Sequence, residues 1–165
     1  MVGSAFGHGA GFGYVCAVVL AGVFVGAGVS KAARPAGTVA GFVALGVPGA
    51  PVVARALPAV EIALAVALLS FPRIGGVAAL VTLGAFSAFL ARAVRAGVTA
   101  GCNCFGRARA DPVSGHDLVR NAMLAALAAA AILTARPVVP SLVATAVAVA
   151  VVVAGVAVLR ATSNP

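Results

Sequence analysis

Apolar residues in this chain run in long blocks, broken by short segments that carry most of the Gly, Pro and Arg. Five blocks approach the ~20 residues that an α-helix needs to cross ~30 Å of hydrocarbon: 11–30, 52–71, 74–91, 118–134 and 138–159. None alternates with period 2. Of the two structures that satisfy every backbone polar group in lipid, helix and closed barrel, only the helix therefore fits. The pattern predicts an all-α polytopic membrane bundle of about five transmembrane helices, with residues 1–165 forming one integral membrane domain. Phe71-Pro72-Arg73 and Ala135-Arg136-Pro137 are the only links within two of the pairs, which predicts tight antiparallel hairpins. Between the first two blocks, Val39, Phe42 and Val43 fall at i, i+3 and i+4. That spacing predicts a short interfacial helix with one apolar face, and a plain surface loop with apolar anchors fits the same residues. The last block, almost wholly Ala and Val over 144–154, reads as a lipid-facing scaffold.

Composition agrees. The chain is 63% hydrophobic and 8% charged, against the roughly 25% charge usual for a soluble domain, so membrane lipid is its first partner and the cell membrane its place. A net charge of +8 would elsewhere suggest nucleic acid, but no basic stripe or set of stacking aromatics accompanies it, and nucleic-acid binding is excluded. The cations instead stand at the ends of apolar blocks, where they meet head groups. Residues 1–10 hold no Lys or Arg, which argues against a cleaved signal peptide and predicts that the first helix is retained.

Threading the blocks through a bilayer gathers the chemistry on one face. If the chain starts on side A, then Lys31, Arg34, Arg55, the segment Gly101-Cys102-Asn103-Cys104-Phe105-Gly106, Arg120 and Asn121 all fall on side B. Cys16 falls near side A and reads as a small buried hydrophobe. Gly22 and Gly26 form a small-xxx-small pair that suits a helix contact. Lys31 and Arg34 read either as cations snorkelling to head groups or as partners of a buried acid. That acid is Glu61, the only glutamate in the chain, and an ionisable side chain within a membrane segment is a functional candidate by default. If its helix begins near Val52 it lies near mid-membrane; if Pro58 occupies the first turn it lies just inside side B, nearer Lys31, Arg120 and Asn121. An ionic lock between helices and a proton-handling group are both open.

Cys102 and Cys104 stand one residue apart, close to Arg107 and Arg109, and positive charge beside a thiol favours the reactive thiolate. A disulfide between them would close a small, strained ring, which suits exchange better than stapling. A structural clip, and a zinc site completed by His116 and Asp117, are the competing readings.

The ordered pieces Phe24-x-x-x-Gly28-x-Ser30-Lys31, Pro35, Leu45-Gly46-Val47-Pro48, Leu57-Pro58-x-x-Glu61, Cys102-x-Cys104-Phe105-Gly106 and Arg120-Asn121 resemble the MauE branch of the DoxX-like redox-associated membrane proteins. The resemblance covers residues 14–133 and leaves the block at 138–159 as an added C-terminal helix. It implies a bundle of four or five helices tied to thiol–disulfide chemistry and, in the name-giving members, to maturation of the disulfide-rich small subunit of methylamine dehydrogenase. The resulting expectation is a membrane-embedded thiol–disulfide redox protein. Cys102, Cys104 and Glu61 are its catalytic residues, Lys31, Arg120 and Asn121 support them, and a thioredoxin-like protein is the thiol partner. No cofactor is certain, and a quinone is a candidate acceptor. The alternative is a non-enzymatic assembly subunit that docks another membrane protein, with the cysteine segment as a clip. A small transporter is weaker, since one intramembrane carboxylate makes a thin pathway.

Orientation follows from charge. Nine Lys and Arg lie on side B and only Arg73 and Arg136 on side A, which puts side B in the cytoplasm by the positive-inside rule. The resemblance implies the reverse, because stable disulfides belong outside the cytosol. The charge rule predicts that a membrane-impermeant thiol reagent leaves Cys104 of a reduced Cys102→Ser variant unlabelled in intact cells and labels it after permeabilisation. Equal labelling in both would reverse the orientation.

Overall fold

The computed structural model of the chain describes residues 5–97 and 114–134, with side chains from Phe12 onward. The segment with Cys102 and Cys104 and the expected helix at 138–159 lie outside the described residues. Five helices are described: α1 Ala5–Ala32, α2 Pro35–Ala44, α3 Ala50–Ser70, α4 Pro72–Arg95 and α5 Gly115–Thr134. Four carry spans long and apolar enough to cross a membrane, namely Phe12–Ala32, Ala50–Ser70, Pro72–Arg95 and Gly115–Thr134. The protein is a multi-pass helical membrane protein.

The spans form a ring in which α1 touches α3 and α5, and α4 touches the same two from the other side. On α1, Cys16, Leu20, Phe24, Ala27 and Lys31 are buried at steps of three and four, while Val15, Val18, Val19 and Gly22 face outward. Because α1 is apolar on both faces, fit and not polarity decides which face turns inward. The core joins Leu20 and Phe24 to Leu64 and Leu68 of α3, Leu83 of α4 and Leu124 of α5.

The α3–α4 hairpin is tighter than the three-residue link expected, because Phe71 alone separates the helices. A residue before proline is driven out of the helical region, and Phe71 adopts φ −137° and ψ 73°. Pro72 in turn opens α4 at a position where a missing N–H costs nothing. The Phe71 N–H donates to the Ala67 carbonyl at 2.8 Å, and the Gly75 N–H donates to the Phe71 carbonyl at 2.8 Å. Helices joined this closely must touch at once: a Cβ on Gly75 would overlap the Leu68 backbone, and one on Gly76 would sit 2.8 Å from Ile132 Cγ1 of α5.

α2 is the predicted short helix between the first two spans, but its inner face is rotated from the one expected. Thr38, Gly41 and Phe42 are buried, Val39 is half-buried, and Val43 is 61% exposed. Phe42 packs with Ala50 and Ala54 at the start of α3 and with Leu90 near the end of α4, so α2 covers the side B end of the α3–α4 pair. Thr38 is tolerated inside because its hydroxyl donates to the Arg34 carbonyl at 3.1 Å.

Overpacking at a helix contact typically costs about 1–3 kcal/mol. Gly75→Ala should lower the thermal unfolding midpoint of the detergent-solubilised protein, whereas Gly84→Ala, where an added Cβ meets nothing within 4 Å, should leave it unchanged or raise it. Equal midpoints would remove the argument for close α3–α4 contact.

Candidate functional site

The polar residues of the bundle converge where α1 ends. Lys31 stands in the last turn of α1, where a cation also complements the helix dipole. α3 runs antiparallel past it, beginning well before this level because its first turns pack under α2. Helix α3 starts at Ala50, so Pro58 is inside the helix and does not open it. Lacking an N–H, Pro58 leaves the Ala54 carbonyl without its usual helical donor. Glu61 thus belongs to the deeper of the two placements, yet it meets Lys31 all the same. Gly28 explains this: a Cβ there would lie 3.2 Å from the Pro58 carbonyl oxygen and 3.4 Å from Glu61 Cβ, so the helices approach closely at that point. Lys31, one turn further on, is carried to the carboxylate.

Lys31 Nζ donates to Glu61 Oε1 at 2.6 Å, with the two residues only 3% and 7% exposed. Burial on this scale is costly for each charge alone and is compensated by the other. Glu61 Oε2, also buried, has no hydrogen-bond partner among the described residues. Opposite, Asn121 of α5 is 1% exposed and its Nδ2 donates to Ser87 Oγ of α4 at 3.1 Å. A cavity of about 60 Å³ lies between these groups, and Lys31, Glu61, Thr82, Phe86 and Asn121 are among its walls.

Arg120 is close enough for its charge to act on Lys31, and it pairs with Asp117 at 3.3 Å. Asp117 also closes the start of α5: the Ser114 N–H donates to its Oδ2 at 3.1 Å, and its own N–H donates to the Ser114 carbonyl at 3.1 Å, a capping-box arrangement. Its carboxylate is thereby engaged locally, and His116 is exposed.

The structure therefore brings together Lys31, Glu61 and Asn121, with Arg120 at their margin. The snorkelling reading of Lys31 is corrected, because its ammonium has a buried carboxylate within reach. Cys16 is buried in the core at 2% exposure. Gly22 and Gly26 face outward, with nothing within 4 Å of an added Cβ, so they mediate no contact among the described residues. Cys102 and Cys104 lie outside the described residues. Sequence reasoning missed Ser87, Thr82 and Phe86. A signal for Ser87 was present: Ala79, Leu83 and Leu90 mark the buried stripe of α4, and Ser87 falls on it at helical spacing.

A family model described as methylamine utilisation protein MauE matches residues 10–134. No curated protein matches the chain, and no solved structure does.

Removing one member of a buried ion pair strands the other and typically costs about 3–5 kcal/mol. Lys31→Met should therefore sharply reduce the amount of protein in the membrane and its thermal midpoint. The double variant Lys31→Met/Glu61→Gln, in which no charge is stranded, should recover most of both. If the double variant is no better than the single one, the two side chains are not energetically coupled.

Proposed function

The chain belongs to the MauE family, and from that premise we propose that it is a membrane-embedded thiol–disulfide redox protein serving the methylamine utilisation machinery, with Cys102 and Cys104 as its exchanging pair. A wider kinship to DoxX-like redox-associated membrane proteins is part of the same reading. The observation that carries it is the buried Lys31–Glu61 pair, whose second carboxylate oxygen has no hydrogen-bond partner among the described residues. A thiolate of the partner attacks the Cys102–Cys104 disulfide, forming a mixed disulfide and releasing one of the protein's thiolates. The partner's second thiolate then attacks the mixed disulfide. The partner ends oxidised, the protein's pair ends as a dithiol, and two electrons have passed between them. Glu61, held by Lys31 through one oxygen, takes up a proton released as the thiols react. Asn121, fixed by Ser87, and Arg120, fixed by Asp117, hold the start of α5 where the cysteine segment joins it. With side B cytoplasmic, the partner is a thioredoxin-like protein of the cytosol.

A second reading has one observation in its favour. Gly22 and Gly26 present an outward face of α1 without bulk, which allows close approach of another membrane helix. In that reading the protein is an assembly subunit and its cysteines only shape their segment.

Thiol cycling separates the two. Counting alkylated thiols by mass, before and after a mild dithiol reductant, should show Cys102 and Cys104 paired at first and free afterwards. A pair that stays reduced under oxidant, or that retains stoichiometric zinc, would sink the exchange reading. Glu61→Gln alone strands Lys31 and should accumulate poorly, so exchange is read in the Lys31→Met/Glu61→Gln variant, which should accumulate and exchange about 100-fold or more slowly, the lower end of what positioned proton transfer contributes. Normal exchange by that variant would remove Glu61 from the mechanism.

A further inference from the structure

Toward side B, a groove of about 350 Å³ opens between α2, α3 and α4. Phe42 and Leu90 are its buried floor, and Val53, Val81 and Phe89, at 36%, 67% and 44% exposure, stand at its rim. Val81 and Phe89 belong to the membrane span of α4 and Val53 to that of α3, so the groove opens to the bilayer. Thr82 is the one polar residue among the described residues that line it, and its hydroxyl already donates to the Ala78 carbonyl at 2.8 Å. The lining therefore suits hydrocarbon. Water does not fill such a space, because apolar cavities stay dry, and an empty groove would forfeit the dispersion contacts of its walls.

The stripe of α4 that lines the groove continues into charge. Val81, Ala85 and Phe89 fall at i, i+4 and i+8. Arg92 and Arg95, both exposed, follow at i+11 and i+14, within about 40° of the same line on a helix that turns ~100° per residue. The two acids among the described residues, Glu61 and Asp117, are engaged with Lys31 and Arg120, so neither neutralises these arginines. From Val81 to Arg92 the helix rises about 16 Å, half of the ~30 Å thickness of the hydrocarbon. Groove and cations together span one leaflet.

We propose that the groove holds an anionic phospholipid of the side B leaflet, with one acyl chain lying along α4 from Phe89 to Val81 and the phosphate bound by Arg92 and Arg95. Charge and length select that occupant together: a neutral lipid leaves both arginines unmatched, and a free phosphate leaves the groove empty. By the positive-inside rule this is the cytoplasmic leaflet, whose surface is anionic. The chain joins α2 to the α3–α4 hairpin, and the site is independent of the thiol–disulfide reaction.

The full chain is reconstituted in nanodiscs of equal parts phosphatidylglycerol and phosphatidylcholine, released into mild detergent, and weighed by native mass spectrometry. One phosphatidylglycerol per chain, retained in preference to phosphatidylcholine, is the expected result, and the Cys102→Ser/Cys104→Ser variant should match it. Arg92→Gln/Arg95→Gln should lower the preference about five-fold per arginine, what one cation near an anionic surface contributes, whereas Arg92→Lys/Arg95→Lys should keep it. Arg55 is exposed at the same end but lies between Val53 and Leu57 on the opposite side of α3, so Arg55→Gln should change nothing. Ala85→Trp, at an exposed position in the groove, should displace the chain and cut retention about ten-fold or more, what two buried methylenes contribute. If the tryptophan variant does not fold, the arginine pair decides alone. Equal retention of the two lipids, an Arg55→Gln effect as large as that of the pair, or undiminished retention in folded Ala85→Trp would each overturn the proposal. So would a lipid-free dimer, which gives the groove to a second copy, or a lipid-free monomer, which gives it to residues 138–159 of the chain.

Discussion

A single ion pair in a medium that tolerates neither charge alone organises this bundle. Lys31 and Glu61 come from different helices and are buried together, and each is admissible at that depth only because the other is there. Their meeting fixes three otherwise free choices: the rotation of α1, the rotation of α3, and the relative height of the two. Hydrophobic contacts do not specify these well, because α1 is apolar on both faces and Val or Ala would serve equally on either side. Gly28 supports the pair by removing a side chain where the helices cross, and Pro58, inside the continuous α3, removes one backbone donor near the same level.

Around that pair the remaining polar groups are arranged so that few stay idle. Asn121 leans on Ser87, Arg120 on Asp117, and Asp117 on the Ser114 N–H just before α5. Glu61 Oε2, buried without a hydrogen-bond partner among the described residues, is an exception. Glu61 itself lines a small cavity walled mainly by apolar side chains, with Lys31, Thr82 and Asn121 as the other polar residues there. Membership in the MauE family supplies the context in which this polar centre is read.

Much of this was legible in the residues and some of it was not. The four described spans and the hairpin at Pro72 followed from block length and from what proline does to its neighbour, both local effects. Glu61 was conspicuous because a lone glutamate in an apolar run must be paired or functional. The inner face of α2 was misjudged, since Val43 looked like the better core residue than Thr38; a threonine can bond to the carbonyl one turn back, which makes it as buriable as a valine. Gly75 and Gly76, the tightest contacts in the bundle, were invisible among 20 glycines, while the Gly22 and Gly26 pair that fitted a known spacing faces away from every described helix. Ser87 escaped because its meaning depends on a partner 34 residues away.

The one-residue link at Phe71 also bears on how the chain is made. α3 and α4 have no loop that could wait on one side of the membrane while the other helix finds its place, so they enter the bilayer as a single hairpin. By then α1 has already been synthesised, with Lys31 near its end and within reach of head groups. Glu61 has no such refuge in the middle of α3. Docking of the hairpin against α1 is thus the step that extinguishes both charges, which makes the order of synthesis, cation first and acid second, a built-in safeguard during biogenesis.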